Sequence, residues 1–136
     1  MTIGIVSDPA CRKHHMGSLH PEQPARLDAI NDRLIASGLS YVMLHFDAPR
    51  ATREQLLGAH DAGYVDEVFA ASPQQGFAWL DGDTAMCPFT LEAALHAAGA
   101  AVHGVDLVMQ KQVNHVFCPV RPPGHHAERH RAMGFC

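Results

Sequence analysis

The chain has 136 residues, which is the usual size of a single domain. Hydrophobic residues make up 47% and charged residues 18% of it, a balance that excludes a disordered chain because it can bury enough apolar surface to offset chain entropy. The formal charge of -4, from 10 basic and 14 acidic residues, lacks the basic footprint of a nucleic-acid-binding protein, so no nucleic-acid partner is expected.

The first third of the chain predicts a strand, a helix and a second strand. Residues 3–6 and 41–46 are short apolar runs, and each is typical of a buried strand. Between them, leucine and isoleucine recur at helical spacing. This predicted helix begins near Pro24, which suits a first helical turn, and ends at Gly38.

The remainder predicts two helices and a third strand. Asp61 is placed to cap a short helix that ends before Ser72. Apolar residues then recur at intervals of three and four from Leu91 to Met109, which predicts a long helix, and the apolar run 113–120 predicts a third strand. Strands that alternate with helices predict a parallel sheet flanked by helices, so the expected fold class is α/β.

The loops that follow strands are the expected place for chemistry, since the ligand crevice of a parallel sheet lies at the carboxyl ends of its strands. These loops are residues 7–24, 47–53 and 119–136. The third loop contains RPPGHHAE at 121–128, in which two prolines stiffen the chain and Gly124 precedes two adjacent imidazoles. Because imidazole titrates near neutrality, one histidine can stay protonated while its neighbour shuttles a proton.

Two alternatives to proton transfer exist for His125 and His126. An exposed loop can hold two histidines that have no function. Metal coordination by this pair is disfavoured, because adjacent residues rarely aim both rings at one ion and no D-x-H motif accompanies them. Acid/base chemistry therefore fits the pair better than coordination.

The segment RPPGHHAERHRAMGFC at 121–136 resembles the tandem-histidine signature of the zinc-dependent histone deacetylase family, which includes acetylpolyamine amidohydrolases and acetoin-utilisation proteins. HPEQPARL at 20–27 resembles the H-P-E-x-P-x-R-L stretch near the start of these domains. Two weaker likenesses are AHDAGYV at 59–65, similar to the family's H-S-x-x-Y-V segment, and DGDT at 81–84, similar to the loop before its catalytic strand. The resemblance covers essentially the whole chain.

This resemblance implies a partial arginase/deacetylase-type fold, in which residues 1–136 are the amino-terminal part of one deacetylase domain. It also implies hydrolysis of N-acetylated amines, on an acetyl-lysine peptide or a small molecule such as an acetylpolyamine, with Zn²⁺ as cofactor. The family's zinc ligands, a D-x-H pair and a later Asp, have no match here and are expected after Cys136. We therefore expect this chain alone to be inactive; the alternative is a truncated, non-catalytic fragment that serves as a binding or assembly module.

The resemblance implies a role for each of six residues. His126 is similar to the general base and acid, and His125 to its electrostatic partner. Arg26 is similar to a residue near the internal acetate channel of the family. The alternative for Arg26 is an exposed residue in the first turn of a helix, which is the commoner situation for arginine.

Three of the six would contact substrate. Asp83 is similar to the rim carboxylate that holds substrate, Gly134 to a backbone acceptor for its amine side, and Phe135 to an aromatic wall of the acyl-lysine tunnel. Asp83 could instead be an ordinary turn residue in DGDT, and Phe135 an ordinary core residue.

The other histidines carry no functional assignment. His14, His15 and His20 form a cluster in the loop after the first strand and are expected to be structural or at the surface. His96 and His103 fall on the polar face of the long predicted helix and are expected to be solvated.

Cysteine usage and hydropathy indicate the compartment. The four cysteines lie far apart with no C-x-x-C pair, which favours reduced thiols over a disulfide framework. No apolar run approaches the roughly 20 residues that span a bilayer, and the first residues lack a signal-peptide pattern. A cytoplasmic location without a membrane partner is therefore expected, and assembly into a homo-oligomer is left open.

Overall fold

Three parallel strands form the central sheet of the computed structural model, which describes residues 1–136. Strands and helices alternate along most of the chain. In chain order the elements are β1 (Ile3–Ser7), α1 (Ala25–Ala36), β2 (Leu44–Asp47), α2 (Arg53–Leu57), α3 (Ala62–Ala71), β3 (Ala78–Trp79), β4 (Ala85–Met86), α4 (Thr90–Met109) and β5 (His115–Phe117).

The sheet has the strand order β2-β1-β5, and both pairings are parallel. Gly4 of β1 lies opposite Leu44 on one side and Val116 on the other. The predicted α/β class and the three strands are therefore confirmed. The second strand begins three residues later than predicted, because Leu39–Tyr41 form a turn of 3-10 helix after Gly38, which has a φ of 76°.

The hydrophobic core lies between this sheet and α4. Its buried members come from β1, from the residue directly after β2, from α4 and from the segment just before β5. They are Val6, Ala48, Ala100, Leu107 and Val113. The alanine-rich sequence of α4 lets its backbone approach the chain that follows β2. The N–H of Ala51 donates to the carbonyl of Leu95 at 2.9 Å, and a Cβ built on Gly99 would lie only 1.9 Å from Pro49 O.

Gly99→Ala is expected to destabilise the protein by about 3 kcal/mol, the upper end for an overpacked site, since the atom it meets belongs to the backbone and cannot rotate away. The matched control is Gly63→Ala in α3, where an added Cβ has nothing within 4 Å. That variant is expected to gain about 0.5–1 kcal/mol from helix propensity. Chemical denaturation measures both, and equal shifts in the two midpoints would contradict this account of α4 packing.

Two elements lie in segments for which the sequence predicted no helix or strand. Thr52 and Gln55 cap α2 reciprocally: the Thr52 hydroxyl accepts from Gln55 N–H at 3.2 Å, and Gln55 Oε1 accepts from Thr52 N–H at 2.8 Å. The strands β3 and β4 form a short antiparallel hairpin, in which Ala78 lies opposite Met86. Both elements are too short for hydrophobic periodicity to reveal.

None of the helices is both long enough and apolar enough to cross a membrane.

Candidate functional site

The histidine loop, residues 118–136, follows β5 and borders a cavity of about 570 Å³. His125 and Phe135 line this cavity from the loop, Tyr64 lines it from α3, and Leu95 lines it from α4. Burial raises the pKa of the Tyr64 phenol above its ordinary value, with nearby acidic groups adding to the effect. The loop that the sequence singled out thus lies against a space of a size that small ligands occupy.

The two adjacent histidines lie side by side, and His125 lines the cavity. Their ring centroids are 4.3 Å apart with the planes tilted by 55°, and both residues are exposed. The N–H of His126 donates to Cys136 Sγ at 3.4 Å. Gly134 has a φ of 60°, and a Cβ there would lie 3.0 Å from both Cβ and Cγ of His126. Glycine at 134 therefore lets the end of the loop fold back onto the His126 ring.

A buried hydroxyl connects Asp83 with Phe135. Thr84 is only 4% exposed; its Oγ1 donates to Asp83 Oδ1 at 3.0 Å and accepts from Phe135 N–H at 3.0 Å. The neighbouring Asp81 accepts from Asp83 N–H at 3.0 Å, and this hydrogen bond is the main reason why the pKa of Asp81 lies below its ordinary value. The turn between β3 and β4 is thereby held in one shape beside the histidine loop.

The Phe135 side chain lies apart from the core between α4 and the sheet. It is half-buried, lines the cavity and has its ring edge-to-face with His20 at a centroid distance of 4.6 Å. Its φ of 71° is a conformation that L-residues rarely adopt. Contacts that hold such a backbone are typical of functional segments.

Arg26 has the exposed first-turn position that was the alternative to a place near an acetate channel, and it also contacts the histidine loop. It is exposed in the first turn of α1, yet its Nη2 donates to Val120 O at 3.0 Å and it lines the same cavity as His125. The guanidinium therefore connects α1 to the start of the histidine loop, 94 residues away in the chain.

The later part of the histidine loop is anchored at the start of α3. His60 Nδ1 donates to Glu128 O at 3.0 Å, and Asp61 N–H donates to Arg129 O at 2.9 Å. The Asp61 carboxylate accepts from Arg129 Nε at 2.8 Å and makes no hydrogen bond to its own helix. Asp61 is the predicted N-cap residue of α3, but its side chain is taken by this ion pair.

Arg121 and Glu22 are the residues that sequence reasoning missed. Arg121 is fully buried, and its Nε and Nη2 donate to the two carboxylate oxygens of Glu22 at 2.7 and 2.6 Å. Its Nη1 donates to the carbonyls of Cys11 at 2.8 Å and His14 at 2.6 Å. Their one signal in the sequence was that each lies in one of the two most specific motifs.

Burial alone would raise the pKa of Glu22, but its contacts with His14 and Arg121 outweigh this and lower the pKa to about 2. Glu22 is therefore an anion at neutral pH, held against the Arg121 cation in a place that water barely reaches. Such a pair in the interior holds its partners strongly in place, because separating them leaves a buried charge without a partner.

Two histidines of α4 differ from their expected solvated positions, and His14 takes one of its two expected environments. His14 is only 1% exposed, so of the two expected environments it has the structural one. The expectation that His96 is solvated is wrong: its Nδ1 donates to Ala48 O at 2.7 Å and its Nε2 lies 3.1 Å from Glu92 Oε1. His103 is half-buried with its ring against Phe46. His96 and His103 pack against the segment after β2 and against β2 itself, so periodicity alone misplaced these two residues.

The four cysteines are free thiols, and the residues of this chain do not by themselves fit a zinc site. No three histidine, cysteine, aspartate or glutamate side chains gather closely enough to hold a metal ion. His126 and His130 have the spacing of a helical metal-binding pair, but the segment between them is a loop.

Known proteins resemble this chain over its whole length. Residues 20–136 match the sequence profile described as histone deacetylase domain. A probable deacetylase of Archaeoglobus fulgidus is 33% identical, with 100% of this chain and 38% of the relative covered. A histone deacetylase-like amidohydrolase of Pseudomonas aeruginosa is 35% identical, with 98% and 33% covered.

A solved structure agrees with these relatives. The crystal structure of the HDA15 HD domain superposes with a TM-score of 0.93 at 30% identity and covers 100% of this chain and 40% of that one. The chain thus spans between 33% and 40% of the length of these relatives. Since the domain profile covers residues 20–136 and the fold agrees, the chain belongs to the histone deacetylase family, whose members are deacetylase hydrolases.

Proposed function

We propose that this chain supplies the acid/base part of a site that hydrolyses N-acetylated amines, either acetyl-lysine in a peptide or an acetylpolyamine. The observation that carries the proposal is the contact between His126 and Gly134 beside the cavity lined by His125 and Phe135. It brings the candidate proton-transfer groups and the candidate substrate-binding segment together in one place.

In this proposal, His126 takes a proton from the attacking water and later gives it to the leaving amine. His125, whose ring lies 4.3 Å away, remains protonated and stabilises the negative charge that develops on the acetyl oxygen. Both residues are exposed and His125 lines the cavity, so a substrate can reach the pair without displacing the core.

In the same proposal, Asp83, Thr84 and Phe135 position the substrate. Asp83 is exposed at the turn between β3 and β4, where its carboxylate can accept a hydrogen bond from a substrate N–H or attract an ammonium group. Thr84 orients that carboxylate and at the same time holds the backbone of Phe135. Phe135 would then contact the aliphatic chain between the amine and the rest of the substrate.

Family membership implies a metal cofactor, and we propose zinc. The residues of this chain do not fit a zinc site, and their proposed tasks are therefore proton transfer and substrate positioning.

Acetate release from an acetyl-lysine peptide and from an N-acetylated polyamine tests this function, measured on a protein that contains this chain within a complete deacetylase domain. We expect turnover of at least one substrate. The 136-residue chain by itself, with zinc added, is expected to give none. Absence of turnover on both substrates by the complete, folded domain would overturn the proposed function, and zinc-dependent turnover by the isolated chain would show that its own residues suffice.

Phe135→Ala separates the tunnel role from a core role. Because the ring is half-buried at the cavity, we expect a small change in Tm and a large loss of kcat/KM, as the acyl chain loses its positioning contact. The matched control is Phe46→Ala, which removes a ring that packs on the core cluster and is expected to cost about 3–5 kcal/mol of stability. A large drop in Tm for Phe135→Ala, with activity per folded molecule preserved, would make Phe135 a structural residue.

A further inference from the structure

Four buried side chains form a continuous series of contacts from the start of α4 to the histidine loop, in the order Thr90, His14, Glu22 and Arg121. This buried quartet is almost closed to water: the side-chain exposure is 1% for His14, 9% for Glu22 and 0% for Arg121. Two of its members, His14 and Thr90, line the cavity of the candidate site, and none of the four is one of the residues proposed to touch substrate.

Arg121, the last member of the quartet, fixes the position of the chain at the start of the histidine loop. Four N–H groups of Arg121 are engaged, two by Glu22 and one each by the carbonyls of Cys11 and His14. Only two prolines and Gly124 separate this fixed guanidinium from His125. Because the two prolines restrict the backbone, few torsion angles between Arg121 and His125 are free to absorb a displacement of Arg121.

One nitrogen in the quartet has no hydrogen bond. His14 Nε2 is the buried side-chain polar atom that lacks a partner, and it lies 3.4 Å from Glu22 Oε2. A buried polar atom without a partner in a native protein calls for an explanation, since leaving it unsatisfied is unfavourable. Here a slight tilt of the ring would bring an N–H on Nε2 within hydrogen-bond distance of the carboxylate.

The contacts of Thr90 indicate which ring nitrogen carries the hydrogen. Thr90 Oγ1 accepts from Cys87 N–H at 2.8 Å and has one hydrogen to donate. Its two candidate acceptors are His14 Nδ1 at 2.8 Å and Cys87 Sγ at 3.4 Å, and nitrogen is the nearer and stronger acceptor. A donated Thr90 hydrogen makes Nδ1 the acceptor, and the ring hydrogen of a neutral His14 then resides on Nε2, facing Glu22.

We propose that His14 is a positioning residue for the tandem histidines: its Nε2–H donates to Glu22, which fixes the carboxylate that holds Arg121 and thereby the loop that carries His125 and His126. The proposal rests on the proposed function of those two histidines. It assigns a specific task to one nitrogen of a residue that would otherwise count as ordinary interior packing.

Two substitutions at one position test which nitrogen matters. In His14→Gln the amide nitrogen reaches the place of Nε2 and can donate to Glu22, whereas in His14→Asn it reaches only the place of Nδ1, next to Thr90. In the complete deacetylase domain we expect His14→Gln to keep kcat within about threefold of the wild type. His14→Asn is expected to lower kcat by about 10–100-fold with little change in KM, as for a misplaced catalytic group.

A second readout does not need activity. Amide hydrogen exchange across residues 121–131 is expected to accelerate in His14→Asn and to stay near the wild-type rate in His14→Gln. Comparison of the two variants at temperatures where both are folded removes the contribution of global stability. Equal kcat and equal exchange in the two variants, or a milder effect in His14→Asn than in His14→Gln, would overturn the positioning role.

The two hypotheses fail in different ways. If the wild-type domain does not hydrolyse acetylated amines, the proposed function fails, and the exchange measurement still decides whether His14 orders the loop. If the wild type is active, His126→Ala is inactive and the two His14 variants behave alike, the proposed function stands and the positioning role of His14 is excluded.

Discussion

His126→Ala is expected to lower kcat for amide hydrolysis by about 10²–10⁴-fold and to leave the fold intact. His126 is exposed, and its backbone N–H donates to Cys136 Sγ, so truncation at Cβ removes the candidate proton carrier without removing that bond. The substitution removes the ring atoms that lie next to Gly134 but keeps the His126 Cβ there. Because His126 is not part of the core cluster, no cavity opens in the core.

The matched control is His130→Ala. His130 is also an exposed histidine of the histidine loop, so its removal tests whether any imidazole in the loop matters. Initial rates on an acetyl-lysine reporter, together with a thermal melt of each variant, give both quantities. An unchanged kcat in His126→Ala, or an equal loss in His130→Ala, would contradict the assignment of the proton carrier.

Arg121→Gln is expected to destabilise the protein by about 3–5 kcal/mol, because it leaves the Glu22 carboxylate buried without its cation. Arg53→Gln is the control: Arg53 lies 2.6 Å from Asp66, the same distance that separates Arg121 from Glu22. Both partners of that surface pair are roughly half exposed, at 48% and 64%, and its loss is expected to cost about 1 kcal/mol or less. Urea denaturation at pH 7 measures the difference.

Acid titration of stability provides a second check on the same pair. The pKa of Glu22 in the folded protein is about 2, below its ordinary value of 4.5. The stability that the ionised carboxylate contributes is therefore fully present above about pH 4.5 and is lost as the pH falls toward 2. In Arg121→Gln this acid-dependent part is expected to shrink, since the contact with His14 then lowers the pKa of Glu22 without the help of the Arg121 cation. Equal destabilisation of the Arg121 and Arg53 variants, or an unchanged acid profile, would contradict a buried ion pair.

Much of the fold could be predicted because its signals are local. The apolar runs of β1 and β5 and the periodicity of α4 depend on a few consecutive residues, and secondary structure follows from them directly. The five-residue α2 and the two-residue strands β3 and β4 escaped prediction, since such short elements do not establish a period. His96 was misplaced because the helical pattern distinguishes faces but does not show which neighbours cover them.

In the candidate site, too, local features could be predicted from the sequence and long-range contacts could not. By itself, the sequence determined that a stiff loop after a strand carries His125 and His126, because proline, glycine and imidazole act at the positions where they stand. Only the tertiary structure decided which distant groups support that loop. The Phe135 backbone meets the Thr84 hydroxyl across 51 positions, and Arg121 meets Glu22 across 99. Charged side chains are usually exposed, so no sequence pattern distinguishes Arg121 and Glu22 from surface residues. Their burial results from the pairing of β1 with β5, which brings the loops after these two strands together.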